Sequence, residues 1–405
     1  MNFGFHYFDI NFQLPYSNNL PDDKTLNGDG LSTVWNFLVK DKKFKGKPKI
    51  IDKLIEDDEN FFYLLDIPYP FIYNYNSLSN FHLPEKVHEA VKGNKCKVIF
   101  GVFMEPPAKE WEKSLIQLAR NYNLKKENLF ILTGDNNYKT DSELFTAITY
   151  NYFLSCNLFL DTVQDNDKFL FTEIKHKLKN EYPYTAKFLC LNRISRSHRL
   201  YFYYKLLQQP TLINNTLISL ASKSEPAFMD ALHYELTSWI KDKKERDRIF
   251  NFFKYRKIDI FIDDLDKKFN AAVNIPIELF NNTFISIITE TDVESERLFL
   301  SEKIAKGLYS KQPFIVLGNP GTLSYLKKLG FKTFNRWFDE SYDGETDVVK
   351  RVNKILGLMG YLNTFSHKEL YELRNKMKSV LEHNQKKIIE YSETNLFEKL
   401  NIYNK

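Results

Sequence analysis

Three groups of residues have the types and spacing to act on an anionic ligand. The first is Ser301-Glu302-Lys303, which lies between two apolar runs, 284–288 and 313–317. Each run has the length and β-rich composition of a buried parallel strand. Parallel strands need a crossover helix, and Ser301 can cap one whose Ile304, Ala305 and Leu308 form the apolar stripe. The free amides and positive dipole end at such a helix start favour negative charge. Lys303 adds a full charge there, in a turn where a lysine opposes the dipole unless an anion is bound beside it. Glu290 ends the first strand, where ligands of open α/β sheets bind, and could accept hydrogen bonds from a ribose diol; a solvated strand end is the plain alternative. Glu302 could do the same or simply complement the dipole. Gly318 opens the turn Gly318-Asn319-Pro320-Gly321 after the second strand, close to where a sugar or base would pass. No Lys-Ser/Thr follows, so it is not a Walker loop.

The second group is Arg193, Arg196 and Arg199, three arginines within seven residues, between a short apolar strand at 188–191 and a helix rich in Tyr, Phe and Leu. Guanidinium forks bind phosphate oxygens bidentately and keep their charge, so this turn suits a diphosphate; a solvated basic turn is the alternative. The third group is carboxylates that end strands in the first half: Asp66 in LLDIPYP, Glu105 in VIFGVFMEPP and Asp135 in LTGDNN.

Positioning such residues takes a scaffold of alternating strands and helices. The pattern predicts strands at 2–7, 61–65, 97–103, 128–133 and 157–160, with a crossover helix at 110–122. A charged stretch at 175–187 separates this half from the strand at 188. Further helices are expected from Ser224 through Trp239 toward Asp247, and at 347–362. A final helix opens on a capping box of Ser366 and Glu369 and carries Leu370, Leu373, Met377, Val380 and Leu381 on one stripe.

The strand ending in an acid, the Ser-Glu-Lys helix start and the Pro-led strand with a Gly turn resemble the nucleotide-sugar motif of α-1,3-fucosyltransferases and, more loosely, of exostosin-like glycosyltransferases. The strand and Arg-studded helix at 186–207 extend the resemblance, which covers about 186–335. It implies an α/β protein of two Rossmann-like domains, the GT-B type. An acceptor-side domain would span 1–180 and a nucleotide-sugar donor domain 186–345, with C-terminal helices at 346–405 crossing back to the first domain. It implies an inverting, metal-independent glycosyltransferase whose co-substrate is a nucleotide-diphosphate sugar, with no other cofactor.

On that resemblance Arg199 matches the family's phosphate-binding arginine, and Glu105 matches the Glu of a Glu-Ser-Pro motif, with Pro106 in place of the serine. Inversion requires a base to take the acceptor proton as the anomeric carbon is attacked, and Glu105 is the candidate, with Asp66 and Asp135 as base or acceptor ligands. The acceptor is expected to be a glycan or lipid-linked saccharide. Two alternatives stay open: a DNA-modifying glycosyltransferase acting on a hydroxylated base, and a non-catalytic GT-B-like binding protein.

The 405 residues, 43% hydrophobic and 16% aromatic, supply material for two cores. No run of 18 apolar residues occurs and the start lacks the features of a signal peptide, which predicts a soluble, cytoplasmic protein. Cys96, Cys156 and Cys190 are too scattered for a metal site or disulfide framework, and two of the three lie within or beside apolar runs, which reads as buried thiols of a reducing compartment. Asp263, Asp264 and Asp266 mimic an Asp-x-Asp metal motif of the kind that arises by chance, and no metal is expected. Net charge is +5, from 57 basic and 52 acidic residues, mild for a nucleic-acid binder unless one face concentrates it. Tyr and Phe interleaved with basic residues at 199–205 suit a core-packed helix better than a base-stacking one.

Overall fold

The structure is a computed structural model. It describes residues 2–5, 48–50, 58, 60–66, 83–102, 109–140, 142–155, 178–180, 182–192, 194–221, 226–256, 258–262, 275–293 and 296–391. The chain forms two compact units that divide between residues 156 and 157.

The first unit is built on six strands: β1 (Asn2–Phe5), β2 (Pro48–Ile50), β3 (Phe61–Asp66), β4 (Cys96–Val102), β5 (Leu129–Thr133) and β6 (Thr146–Thr149). All pair in parallel, in the order β2-β1-β3-β4-β5-β6. Helices α1 (Glu85–Lys92) and α2 (Lys109–Asn121) form crossovers. Their apolar stripes, Val87 and Val91 on α1 and Leu115, Leu118 and Ala119 on α2, share one core with Val98, Phe100, Leu129 and Ile131. This is the flavodoxin-like order, which turns back between β1 and β3.

The second unit carries β7 (Ala186–Leu191), β8 (Thr216–Ala221), β9 (Asp259–Ile260), β10 (Thr283–Thr289) and β11 (Phe314–Leu317), ordered β11-β10-β7-β8-β9. Four strands are parallel and β9 runs antiparallel at the edge. Every residue of β10 is buried, as a central strand covered on both faces demands. In sequence order the strands lie 5-4-1-2-3, the Rossmann arrangement, and the direction of winding reverses between β7 and β10.

Helix α3 (Ser197–Leu207) follows β7, and α4 (Pro226–Trp239) and α5 (Lys243–Lys254) follow β8. Helix α6 (Glu302–Tyr309) joins β10 to β11, and α7 (Thr322–Lys328) leaves β11. The chain then forms α8 (Val348–Asn363), α9 (His367–Lys376) and α10 (Lys378–Glu390). The fold class is thus α/β with two Rossmann-like units. Helix α8 packs against β11 and α3, α9 against β10, and α10 against α6. The last residues of the tail expected to return to the first domain, 392–405, lie outside the described residues.

Two expected helices are each divided in two. The helix expected to run from 224 toward 247 stops at Trp239, because Asp242 starts a new one by accepting from the Lys244 amide at 2.8 Å. The final helix begins on its capping box, with Glu369 N donating to Ser366 Oγ at 3.2 Å and Ser366 N to Glu369 Oε2 at 2.7 Å, then breaks at Met377. Strands β2, β6 and β9 go beyond the sequence expectations because they run to three, four and two residues, too short for an apolar period. Strand β8, TLISLA, also goes beyond the sequence expectations, because Thr216 and Ser219 interrupt its apolar run. The strand expected at 157–160 and the cap at Ser224 lie outside the described residues.

Candidate active site at the switch point of the second unit

Ligands of doubly wound sheets bind beyond the carboxyl ends of the strands where winding reverses, here between β7 and β10. The sequence brings its cationic residues to this point. On one side β7 runs into Asn192, whose buried amide donates to Cys190 Sγ at 3.2 Å and accepts from Thr289 Oγ1, tying the ends of β7 and β10 together. Arg196 then forms the N-cap of α3, and the Ser197 amide donates to Glu235 Oε2 at 3.4 Å.

Helix α6 starts on the other side. Ser301 Oγ accepts from the Lys303 amide at 3.2 Å, the expected cap, and Ile304, Ala305 and Leu308 are buried, the expected stripe. Lys303 Nζ reaches back to Glu302 Oε1 at 2.7 Å and Ser301 Oγ at 3.4 Å. Both side chains of the Glu302–Lys303 pair keep under a fifth of their surface exposed. Burial opposes ionisation of Glu302, yet Lys303 and Lys306 overcome it and hold its carboxyl down at about 2. A lysine in a first turn is therefore balanced within the site, by a neighbour that an incoming phosphate could displace.

Arg199 and Glu290 take different positions from those their types suggest. Arg199 is 2% exposed, donating from Nη1 to Ile194 O at 2.9 Å and from Nη2 to Glu290 O at 3.0 Å and Thr289 O at 3.2 Å. It braces the strand ends by filling their carbonyl acceptors. Glu290 is fully buried, with Oε1 accepting from Ser301 N at 3.2 Å and Oε2 from Thr291 N at 3.2 Å, so its carboxyl closes the loop that leads into α6. Burial raises its pKa, against the pull of Lys303 and the Ser301 hydrogen bond. Gly318 is needed for this arrangement, because a Cβ there would stand 3.1 Å from Glu290 Cγ and 3.2 Å from Thr322 Oγ1.

Two residues not singled out from sequence complete the frame. His198 is buried and shares the Glu290 carbonyl with Arg199, through Nε2 at 2.9 Å. Burial, then Arg199, Arg196 and Lys303, push its pKa well below the ordinary value, so the ring is neutral and Nε2 carries the proton. Arg351 of α8, 1% exposed, donates from Nε to Glu345 O at 2.7 Å and from Nη1 to Val293 O at 3.3 Å and to Gly318 O. It holds the turns after β10 and β11 in register. The start of α7 is already occupied: Asp343 Oδ1 accepts from Leu323 N at 2.8 Å and Oδ2 from Ser324 N at 3.1 Å.

Asp66 is the last residue of β3, at the edge where the first sheet turns back between β1 and β3. Asp135 follows β5, two strands away and so roughly 10 Å along the sheet. Its Oδ1 accepts from Asn137 N at 3.0 Å, closing a turn of its own. Glu105, Arg193 and the triplet Asp263, Asp264 and Asp266 lie outside the described residues. Among the described residues no group of three or more metal-ligating side chains occurs, and no helix is long and apolar enough to cross a membrane. Cys96 and Cys190 are buried free thiols, and burial pushes Cys190 up to about 12 against the opposing pull of Arg199. Cys156 lies outside the described residues.

No protein-family description and no curated protein matches the chain. Among solved structures it is similar to the N-terminal domain of Candida albicans trehalose-6-phosphate phosphatase, at 12% identity and a TM-score of 0.38, covering 90% of this chain and 73% of that one. It is also similar to the trehalose-6-phosphate synthase OtsA, at 12% identity and 0.36, covering 90% and 81%. A third is an alpha,alpha-trehalose 6-phosphate synthase from Burkholderia multivorans, at 9% identity and 0.33, covering 89% and 74%. At such scores these similarities carry no argument.

Proposed function

We propose that the chain is a glycosyltransferase of the GT-B type that binds a nucleotide-diphosphate sugar at the switch point of its second unit. The observation that carries this reading is the placing of Arg196 at the N-cap of α3, after β7, and of Lys303 in the first turn of α6, after β10, the two strands between which the winding reverses. A diphosphate leaving group needs this kind of preorganised positive charge. Arg196 and Lys303 would take the phosphates, together with Arg193, while Arg199 supports them from behind. Glu302, freed from Lys303 as the phosphate binds, is better placed for the ribose than the enclosed Glu290, and Gly318 leaves room for the loop at the sugar.

The transfer would be an inverting single displacement without a metal, the cationic residues supplying the charge that an ion would otherwise provide. Glu105, which follows β4, would take the acceptor proton, with Asp66 at the first sheet's switch point as the other acceptor-side carboxylate. The acceptor is a glycan hydroxyl in this reading, and the buried thiols fit a cytoplasmic location. Calorimetric titration with UDP and GDP, then with their sugars, tests the donor site. Binding of a nucleotide diphosphate that survives chelator supports it, and no binding of any contradicts it.

A further inference from the structure

The chain's net charge is +5, and residues 241–257 alone hold eight basic and three acidic residues, a local excess equal to that of the whole chain. The structure describes 241–256 of this segment, and most of its charged side chains are exposed. It comprises α5 and its flanks, whose Ile249 and Phe253 turn into the core while Arg248, Asn251, Lys254, Tyr255 and Arg256 face solvent. Two of the three acids are already engaged: Asp242 caps α5, and Glu245 pairs with Lys205 at 3.3 Å while accepting from Tyr201 at 3.2 Å. Neither Arg248 nor Arg256 forms an ion pair among the described residues.

Between α3 and α5 these side chains line an open groove of about 460 Å³, formed by Tyr204, Arg248, Asn251, Phe252, Tyr255 and Arg256. Its floor is aromatic. Tyr204 meets Phe252 edge-on with centroids 5.4 Å apart, and the Arg256 guanidinium lies 4.6 Å over the Phe252 ring. Tyr255 is 75% exposed beside Lys254, whose Nζ stands 5.4 Å over its ring. Of the aromatic run in α3, Tyr201, Phe202 and Tyr203 are buried, while Tyr204 opens onto this surface. The groove is separate from the switch point, since Tyr204 stands seven residues, roughly 10 Å, along α3 from Ser197.

We propose that this groove is a binding site for single-stranded nucleic acid. Arg248 and Arg256 beside the exposed ring of Tyr255 suit a strand with unpaired bases, because guanidiniums take the phosphates and every base has a face to stack. A duplex keeps the faces of its bases stacked on one another, where a tyrosine ring cannot reach them. An anionic membrane is the poorer fit, because the apolar face of α5 is spent on the core. The inference does not depend on the glycosyltransferase reading.

Fluorescence anisotropy of the full chain with labelled (dT)12 and (rU)12, between 50 and 200 mM salt, tests it. The expected result is binding that falls with salt and is about 10-fold weaker to an abasic 12-mer of the same charge. The R248A/R256A double variant should weaken binding at least 10-fold and reduce the salt slope by about 1.4, two phosphates at roughly 0.7 each. Tyr255→Ala should weaken it several-fold with an unchanged slope. Equal binding of the abasic strand, parent-like affinity in these variants, or preference for phosphatidylserine vesicles over the oligonucleotides would each overturn the proposal. The abasic comparison uses the unaltered protein, so it decides the matter even if a variant folds poorly.

Discussion

His198 donates from Nε2 to the backbone carbonyl of Glu290 across 2.9 Å, so the first turn of α3 holds the end of β10 where the sheet's winding reverses. Arg199 bonds the same carbonyl at 3.0 Å. Two consecutive side chains thus fix the end of β10, between Arg196 at the N-cap of α3 and Lys303 in the first turn of α6.

Titration of His198 should be visible in stability. Its folded pKa is depressed, so below pH 6.5 the unfolded chain takes up a proton that the native ring refuses, and stability falls with pH. The slope from this group is at most about 1.4 kcal/mol per pH unit below that value. His198→Gln keeps a donor without the titration. Urea unfolding at pH 7.5, 6.5 and 5.5 should show a shallower loss in the variant, and parallel curves would refute the assignment.

Arg199→Lys should destabilise the second unit by about 3 kcal/mol, because an ammonium cannot span the three carbonyls that the guanidinium fork serves. A phosphate ligand on an exposed arginine would instead tolerate lysine with little change in the urea midpoint.

Gly318→Ala should cost about 1–3 kcal/mol and weaken nucleotide binding together with stability, since its methyl would meet Glu290 Cβ at 3.2 Å and push the carboxyl from the Ser301 and Thr291 amides. Thermal melting and titration calorimetry on the one variant would show both effects, and an unchanged melt would mean that the loop does not depend on this packing.

Much of this was legible in the sequence. The apolar runs of β7, β10 and β11, the Ser301 cap and the stripe of α6 follow from period and capping alone, and they locate the switch point. Which cations face a ligand did not follow. Arg196 and Arg199 lie three residues apart in one turn, and only the register of β7 against β10 puts the second beneath the strand ends. Glu290 reads as a strand-end acid whether its oxygens meet a ribose or the amides of Thr291 and Ser301. Arg351 did leave a signal, because it interrupts the apolar face of α8 between Val348 and Ile355, where an arginine must find buried acceptors.

Glu105→Gln should leave nucleotide binding within about twofold of the parent and reduce transfer at least 100-fold, the effect of losing a general base. Transfer at the parent rate would move the role to Asp66 or Asp135.

The most direct test is calorimetric titration of UDP and GDP into the parent, Lys303→Ala and Arg196→Ala, each with and without EDTA. The account predicts that one nucleotide diphosphate binds the parent with or without chelator, and that each substitution weakens it at least 10-fold while the melting temperature of the free protein changes by no more than a few degrees. If both variants bind as tightly as the parent, the diphosphate does not lie at the switch point of the second unit and the central claim is wrong.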